Sequence, residues 1–403
     1  MWRNRSLAGL IAAELVSLTG SAMTFVALPW FVLATTGSTA KMGWVLGAEL
    51  LPIGLLGVPA GSLISRLGAK RSMLISDAAR GPLMLVLPVL DWTGHLSFPA
   101  LLAATFAVGC FATPYYGSSR LIVPEVAGED EQAVAQVSAV LAAATQGTQI
   151  AGPVLAGVLI AATSPPVALV VDAATYLFSF LTVATVVRAG ARTEPTAESQ
   201  GVLAGLRFLR RDPLLGPLLV AACAINLFAQ GVIVGLDVLA YFTYGSAHVA
   251  GLLFGAFGVG ALLGALAAQQ LAARVELLRL ISVAIVALPL PIFLLGISMP
   301  WGAALVVVAA GAFFAPLVNA PIFGVLTVRT PPALRPKVLT AAMTVGSLAT
   351  PLGFFASGYA LRWLSVQQLF VAIAAALTVG GLAFAAIVRR NGDAPAPASP
   401  AAA

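Results

Sequence analysis

The dominant feature of this sequence is a series of long apolar stretches separated by short polar connectors. A helix needs about 20 consecutive apolar residues to cross the roughly 30 Å hydrocarbon core of a bilayer. Stretches of that length recur along the whole chain and leave no room for a sizeable domain outside the membrane. The sequence therefore predicts about twelve transmembrane helices, within residues 7–33, 42–64, 72–90, 98–118, 133–163, 167–187, 217–242, 250–272, 280–298, 302–328, 338–361 and 368–388.

Positive charge is distributed unequally between the two sets of connectors. Of the 21 Lys and Arg residues, only Lys41 and Arg362 fall in the connectors on one side of the predicted membrane. Cytoplasmic loops of membrane proteins are enriched in Lys and Arg. The pattern therefore predicts a multi-pass protein of the inner or plasma membrane, with both termini in the cytoplasm.

Composition excludes a soluble globular protein, because 60% of the residues are hydrophobic and 9% are charged, and the mean hydropathy is +1.00. The net charge of +6 comes from basic connectors without interleaved aromatic residues, which favours anionic membrane lipid over nucleic acid as the partner. The sequence contains no phosphate-binding glycine loop, metal-ligand cluster or catalytic nucleophile constellation. We therefore expect that the protein is not an enzyme and binds no cofactor or metal. The expected energy source is an ion gradient or the substrate's own gradient.

The longest polar interruption divides the predicted helices into two groups of six. We expect an N-terminal bundle at 1–187, a cytoplasmic central loop at 188–216, a C-terminal bundle at 217–388 and a disordered cytoplasmic tail at 389–403. Within the loop, Leu203, Leu206 and Leu209 fall near one face of a helix over 202–211, as in a helix that lies on the membrane surface. The predicted fold class is an all-α polytopic membrane protein with two six-helix bundles.

Acidic residues inside the predicted spans are candidates for proton coupling, because a charge in the hydrocarbon region is costly. Glu14 shares one helix face with Ser17, Ser21 and Thr24 and is the first candidate. Glu49 and Asp237 rank second and third. A neutral or paired glutamate near the cytoplasmic mouth is the alternative interpretation of Glu14.

Polar stripes and aromatic residues on several predicted helices suit a cavity for bulky apolar or weakly cationic molecules. Hydrogen bonding between helices, or aromatic side chains that face lipid, would explain the same pattern. The candidate lining residues are Ser21, Phe25, Tyr115, Tyr116, Thr145, Gln149, Asn226, Gln230 and Ser347.

Asp77 and Arg80 are three residues apart in the third predicted span. This spacing predicts an ion pair within the helix, which lowers the cost of placing both groups near the membrane. We interpret the pair as structural and near the cytoplasmic end of the helix.

The connector between the second and third spans resembles the G-x-L-x-D-R-x-G-R-R/K loop of the major facilitator superfamily. Ser65 stands where the family has an aspartate. We expect Arg66, Lys70 and Arg71 to meet the negative C-terminal ends of neighbouring helices. The residues that match or occupy the motif's positions are Gly61, Ser65, Arg66, Gly68, Lys70 and Arg71, and with Asp77 and Arg80 of the next span they form the candidate gate.

The fifth span contains Gly152, Pro153 and Gly157. These residues resemble part of the fifth-span motif of the twelve-span drug:proton antiporter branch of that superfamily. The branch includes macrolide and siderophore exporters. Gly20 is followed by Ser21, where many relatives carry an aspartate. The resemblance implies a monomeric exporter of hydrophobic or amphipathic compounds that works by proton antiport, with alternating access. Uptake or facilitated diffusion of a small metabolite, and a transport-inactive scaffold or receptor, are the alternatives.

Overall fold

The computed structural model describes residues 5–127, 131–188 and 202–391 of the chain, and these residues form helices and no β-strand. The first six helices are α1 (Arg5–Thr36), α2 (Thr39–Leu67), α3 (Ala69–Trp92), α4 (Phe98–Ala127), α5 (Glu131–Ala162) and α6 (Pro165–Thr185). A short helix, α7 (Val202–Arg211), follows. The remaining helices are α8 (Leu215–Val238), α9 (Ala247–Ala272), α10 (Leu277–Ala287), α11 (Pro289–Leu295), α12 (Trp301–Arg329), α13 (Arg335–Ala360) and α14 (Val366–Asn391).

Eleven of the helical segments in the described residues are long and apolar enough to cross a membrane. They include α8 together with its continuation to Thr243, and α10 together with α11. The predicted fifth span, α5, is not among the eleven, because Thr145, Gln146 and Gln149 lower its mean hydropathy. The predicted fold class, an all-α polytopic membrane protein, is confirmed.

The helix ends follow from local sequence signals. Gly68 joins α2 to α3 with a φ of 83°, in the left-handed region that side chains other than glycine disfavour. Its N–H donates to the carbonyl of Ile64 and ends α2. The predicted ninth span is interrupted at Leu288, because Pro289 and Pro291 supply no backbone N–H to continue the ladder of α10.

The chain divides into two compact units. The first unit contains Met1–Thr196 and Asp237–Gly255, and the second contains Ala197–Leu236 and Ala256–Ala403. The first unit therefore includes a segment, Asp237–Gly255, that the sequence places in the C-terminal bundle. Aromatic contacts bring it there, because the ring of Tyr241 lies 4.9 Å from that of Trp30.

In the first unit, α1 packs against α5 and α6, while α4 packs against α2 and α3. Glycines allow close approach, because a Cβ on Gly109 of α4 would overlap the carbonyl oxygen of Glu49 on α2. An apolar core lies where α1, α3, α4, α5 and α6 meet. It contains Leu7, Leu10, Ala13, Ala69, Met73, Tyr115, Ile122, Val123, Val126, Val137, Val183 and Val187.

In the second unit, α12 packs against α10 and α11, which also contact α14. The helix α7 has the bounds predicted from the sequence, but its residues Phe208 and Leu209 are buried. Gly205 of α7 packs against the backbone of Lys337 in α13. Protein therefore covers at least part of the face that was expected to lie on lipid.

The predicted C-terminal tail begins at Arg389, but α14 continues to Asn391. Its first residues are therefore helical, and the remainder of the predicted tail lies outside the described residues. The run at 189–201, which forms most of the predicted central loop, also lies outside them.

Candidate functional site

A cluster of buried charged side chains, which we name the Arg80 cluster, occupies the interior of the first unit. It consists of Arg80 with the carboxyl groups of Glu14, Glu49, Asp77 and Asp172. The guanidinium of Arg80 is at its centre and has 1% of its side chain exposed. Four helices, α1, α2, α3 and α6, contribute the acidic and basic groups.

Arg80 is held by an ion pair and two aromatic rings. Its Nη2 lies 2.5 Å from Oδ1 of Asp77, one helical turn earlier in α3. The guanidinium carbon lies 4.0 Å from the ring centre of Tyr115 and 4.3 Å from that of Tyr176. A planar guanidinium between two aromatic faces gains cation–π energy, which offsets part of the cost of burying its charge.

The Asp77–Arg80 pair lies in the first half of α3, and its depth in the membrane stays a prediction. The two residues follow the first residue of α3, Ala69, by about 12 and 16 Å along the helix axis. They belong to the Arg80 cluster rather than to the connector between α2 and α3. The ion pair itself was predicted correctly from the spacing of three residues.

Glu14 lies beside this pair. Its side chain is 4% exposed and interacts with Tyr115, Arg80 and Asp77. The hydroxyl of Tyr115 approaches the carboxyl group, yet neither Tyr115 Oη nor Glu14 Oε1 completes a hydrogen bond of good geometry. A buried carboxyl oxygen with an incomplete set of hydrogen bonds favours the neutral acid over the carboxylate.

Asp172 of α6 is fully buried and is the residue that sequence reasoning left out of the candidate site. Its Oδ2 accepts a hydrogen bond of 2.5 Å from Thr24, and its Oδ1 accepts one of 3.2 Å from Thr175. A Cβ on Gly20 would overlap Oδ1 of Asp172. The polar face of α1 could have indicated a partner of this kind, because Thr24 belongs to it.

Asp172 lies close to Ser21 of α1, the position at which the resemblance to the antiporter branch implies an aspartate. The Oγ of Ser21 lies 3.2 Å from the hydroxyl of Tyr176. Asp172 contacts Gly20, the residue before Ser21, from the neighbouring helix. A carboxyl group therefore does lie beside Gly20 and Ser21, but α6 supplies it.

Glu49 of α2 completes the cluster. Its side chain is half-buried, and its carboxyl interacts electrostatically with that of Asp172. Its backbone carbonyl packs against Gly109, which fixes the position of this helical turn. Two of the three predicted coupling residues, Glu14 and Glu49, thus lie in one cluster.

The charges of the Arg80 cluster do not balance. Glu14, Asp77 and Asp172 interact with the single guanidinium, and Glu49 interacts with Asp172. Asp77 Oδ2, Ser76 Oγ and Ser179 Oγ lack hydrogen bonds among the described residues. Full ionisation would leave three uncompensated negative charges in a buried, membrane-spanning region, which is costly. The arrangement therefore favours binding of protons by some of these carboxyl groups.

Asp237 lies outside this cluster. It is the penultimate residue of α8 and is 1% exposed. Neither of its carboxyl oxygens has a hydrogen-bond partner among the described residues.

The residues predicted to line a cavity fall into both units. In the first unit, Tyr115 is buried against Arg80, whereas Tyr116 is 42% exposed and the ring of Phe25 lies 5.5 Å from that of Phe254. On α5, Thr145 donates to the carbonyl of Leu141, and Gln149 is exposed. The structure thus moves Tyr115 from the predicted lining to the charge cluster.

In the second unit, Asn226 and Gln230 occupy one face of α8 and are joined by a hydrogen bond from Gln230 Nε2 to the carbonyl of Asn226. Ser347 of α13 donates to the carbonyl of Thr344. All three are half-buried. Their role as lining residues stays a prediction.

The second unit contains an apolar cavity among α8, α9, α11, α12 and α14. Every residue that lines it is apolar or glycine. They are Ile225, Ala229, Val232, Phe257, Leu288, Pro291, Ile292, Leu295, Val307, Val308, Gly311, Ala312, Ala315 and Leu377.

The connector motif makes one of the expected contacts with a helix end. Lys70 Nζ donates to the carbonyl oxygens of Val187 at 2.7 Å and Ala184 at 3.4 Å, at the C-terminal end of α6. Ser65 donates to the carbonyl of Ser62, and Arg66 and Arg71 are exposed. A Cβ on Gly61 would meet open space. The prediction of a cation at a negative helix end is thus confirmed for Lys70.

The antiporter-like motif of α5 is a close-packing surface. A Cβ on Gly152 would lie 2.5 Å from that of Ala22 on α1. A Cβ on Gly157 would lie 2.9 Å from Cα of Gly251 on α9, and Gly251 also faces the carbonyl of Pro153. The motif therefore brings α5 against both α1 and the Asp237–Gly255 segment within the first unit.

Comparisons with known proteins agree with this description. The family model for transmembrane secretion effectors matches residues 2–401. The multidrug efflux pump Tap of Mycobacterium tuberculosis (strain ATCC 25618 / H37Rv) is 27% identical over 394 residues, which cover 94% of this chain and 93% of that protein. Tap of Mycolicibacterium fortuitum is 26% identical over 387 residues and covers 93% of each chain.

The fold is similar to that of solved transporters. The crystal structure of the nucleoside transporter NupG superposes with a TM-score of 0.78 at 14% sequence identity, over 95% of this chain and 99% of that one. At this identity the likeness shows the fold alone. From the match of the family model over nearly the whole chain, we conclude that the protein belongs to the transmembrane secretion effector family of the major facilitator superfamily and is a multi-pass membrane transporter, not an enzyme.

Proposed function

We propose that this transporter exports hydrophobic or amphipathic small molecules, of drug, macrolide or siderophore type, in exchange for protons. Export would proceed from the cytoplasm across the inner or plasma membrane by alternating access. Its relatives named Tap are multidrug efflux pumps, and the similarity extends over 94% of this chain. The few charges and the many apolar residues inside the described helices suit a lipophilic substrate.

The Arg80 cluster is the observation that carries the antiport proposal. A cluster with four carboxyl groups and one guanidinium binds more protons when water is excluded and fewer when water enters. An antiporter needs such a site, because its proton occupancy must change with the side of the membrane to which it is open. Opening of the first unit to the cytoplasm would release a proton, and opening to the outside would restore it.

Glu14 is the first candidate for the exchanged proton. It interacts electrostatically with both members of the Asp77–Arg80 pair, so its ionisation competes with that of Asp77 for the same guanidinium. Asp172 joins the candidates, because it supplies the carboxyl group beside Gly20 and Ser21. Glu49 connects electrostatically to Asp172 and is the third member.

The test uses the purified protein in proteoliposomes with an imposed pH gradient and a panel of lipophilic drugs, siderophores and sugars. The parent protein should move a lipophilic compound in response to the gradient and release protons when that compound is added. Glu14→Gln should still fold and bind the compound but should lose substrate-induced proton release. Asp172→Asn and Glu49→Gln test the other two carboxyl groups.

Glu131→Gln is the matched control, because Glu131 is exposed at the start of α5. It should leave transport and proton release unchanged. Full pH-driven transport by all three cluster variants would show that these carboxyl groups do not carry the coupling. Gradient-independent equilibration of a hydrophilic metabolite by the parent protein would favour facilitated diffusion instead.

A further inference from the structure

The end of α8 departs from regular helical geometry. After Val238 the chain forms a π-helical turn, Leu239–Thr243, in which the N–H of Tyr244 donates to the carbonyl of Leu239 at 3.1 Å. Turns of this kind are rare and occur frequently at functional sites. This end of the helix lies on the side of the membrane that the sequence predicts to be external.

Asp237 precedes this turn and is buried without a partner. It is 1% exposed, and neither carboxyl oxygen accepts a hydrogen bond among the described residues. No charged side chain in the described part of the chain compensates it. The titratable residues of its own segment are Tyr241, Tyr244 and His248.

Among the described residues, the parts of α1 and α5 that contact this segment supply no charge either. The parts of α1 and α5 that face it, residues 17–36 and 152–162, contain no Asp, Glu, Lys, Arg or His. An ionised Asp237 would therefore be a buried charge without a counterion among the described residues.

At Asp237 the chain passes from the second compact unit to the first. Residues up to Leu236 group with the second unit, whereas Asp237–Gly255 group with the first. Tyr241 contacts Trp30, Phe254 contacts Phe25, and Gly251 lies against Gly157. The buried carboxyl, the π-helical turn and the change of unit thus coincide within a few residues.

We propose that Asp237 is a second proton-binding site, separate from the Arg80 cluster, that controls the contact of the Asp237–Gly255 segment with α1 and α5. The protonated acid is neutral and remains buried, so the segment stays closed against the first unit. Ionisation requires water at the carboxyl group and therefore favours release of the segment. Low external pH favours the closed segment, and high external pH favours the released one.

This inference rests on the proposed alternating access and adds a site to it. After release of substrate to the outside, protonation of Asp237 would allow the segment to close again. The proton bound there would control the external end of the helices, whereas the Arg80 cluster would carry the exchanged proton. The two sites can be separated experimentally, because they lie on different helices.

The experiment measures solvent exposure of the Asp237–Gly255 segment in proteoliposomes. The protein is oriented so that the predicted external side faces the outer solution. In a background of Cys110→Ala and Cys223→Ala, the variant Ala247→Cys places a thiol at a position with 6% exposure. A membrane-impermeant maleimide is added at a series of external pH values. The variant His248→Cys, at an exposed position, corrects for ionisation of the thiol itself.

The corrected labelling rate at position 247 should rise about fivefold or more from low to high external pH, a size typical of coupling between a ligand and a conformational change. Asp237→Asn should keep the slow rate at every pH, because its side chain stays neutral. Asp237→Glu should keep the pH dependence of labelling, because it retains a carboxyl group. That result would show that the site tolerates substitution. An unchanged pH dependence in Asp237→Asn would overturn the proposal.

Glu14→Gln separates this proposal from the antiport proposal. In the same Ala247→Cys background it should retain the pH-dependent labelling while losing substrate-induced proton release. If Glu14→Gln and the other cluster variants all keep proton exchange while labelling still depends on Asp237, the Arg80 cluster is refuted as the coupling site. The proposal for Asp237 would then stand.

Discussion

The two units differ in what they bury. In the described residues, the first unit encloses Glu14, Asp77, Arg80, Asp172 and Asp237 within helices long enough to span a membrane. The buried acid of the second unit is Asp212, at the end of a helix, where its Oδ1 accepts from the N–H groups of Leu214 and Leu215. An apolar cavity among the described helices of that unit is lined by apolar residues and glycine.

Under the proposed function, this difference would separate two tasks of a proton-coupled exporter. Buried carboxyl groups respond to protons and hydration, whereas an apolar cavity responds to lipophilic compounds. Substitutions in the first unit should therefore change the response to pH, and substitutions in the second should change affinity for the substrate. Each prediction below tests this division or measures how strict it is.

The largest effect is expected from Arg80→Met. Loss of the guanidinium leaves the surrounding carboxyl groups without a counterion, and removal of one partner from a buried ion pair costs about 3–5 kcal/mol. Thermal unfolding in detergent should show this loss, and transport should fall below detection. The destabilisation should be greatest at high pH and smaller at low pH, where protonation removes the uncompensated charges.

Two comparisons accompany that variant. Arg80→Lys keeps the charge but cannot stack as a planar group between Tyr115 and Tyr176, so its stability should be intermediate. In the second unit, Arg329→Met removes the cation 3.8 Å from the buried carboxyl of Asp212, but two backbone N–H groups still donate to that carboxyl, so the cost should be smaller than for Arg80→Met, about 1–3 kcal/mol. Equal losses for Arg80→Met and Arg329→Met would contradict the contrast between the units.

Close contacts between helices should be equally intolerant of glycine-to-alanine substitution in both units. A Cβ on Gly109 would overlap the carbonyl of Glu49, and one on Gly264 would overlap the carbonyl of Phe313. Each Gly→Ala substitution should cost about 1–3 kcal/mol of stability through overpacking. Only Gly109→Ala should also change proton release, because it displaces the turn that holds Glu49.

Gly147→Ala and Gly380→Ala are the controls for this pair, since a Cβ at either position meets open space. They should be neutral or stabilising, because alanine favours the helix by about 0.5–1 kcal/mol. A change in proton release with Gly264→Ala would show that packing in the second unit also reaches the coupling site.

Filling the apolar cavity of the second unit should affect the substrate rather than the proton. Ala315→Leu adds apolar volume at the cavity wall. If the cavity holds part of the substrate, the KM for a bulky lipophilic compound should rise about threefold to tenfold, which corresponds to about 0.7–1.4 kcal/mol. Protons exchanged per substrate should not change. Ala303→Leu, exposed near the start of α12, should leave KM unaltered.

The sequence predicts most of this fold because bilayer thickness fixes the length of a spanning helix. Proton-site candidates are predictable for the same reason, since a Glu inside an apolar stretch is conspicuous. The Asp77–Arg80 pair follows from helical spacing alone. These features depend on one helix at a time.

The missed features depend on how two helices are aligned. Asp172 meets Gly20 and Thr24 only through the register of α6 against α1, and Tyr115 meets Arg80 only through that of α4 against α3. Grouping of the Asp237–Gly255 segment with the first unit likewise arises from contacts across many residues. No periodicity within a single helix encodes such a register.

The smallest effect is expected at the end of α6, where Lys70 contacts the last carbonyl groups. Lys70→Met keeps an apolar side chain of similar length but removes the charge that donates to Val187 and Ala184. A cation at a helix C-terminus contributes about 0.3–1 kcal/mol, so global stability should fall by that amount. Hydrogen exchange in the peptide over 180–188 should accelerate, because the helix end frays more readily. Arg71→Met removes one positive charge from the same connector at an exposed position. The same acceleration in Arg71→Met would show that net charge, and not the contact made by Lys70, stabilises this end of the first unit.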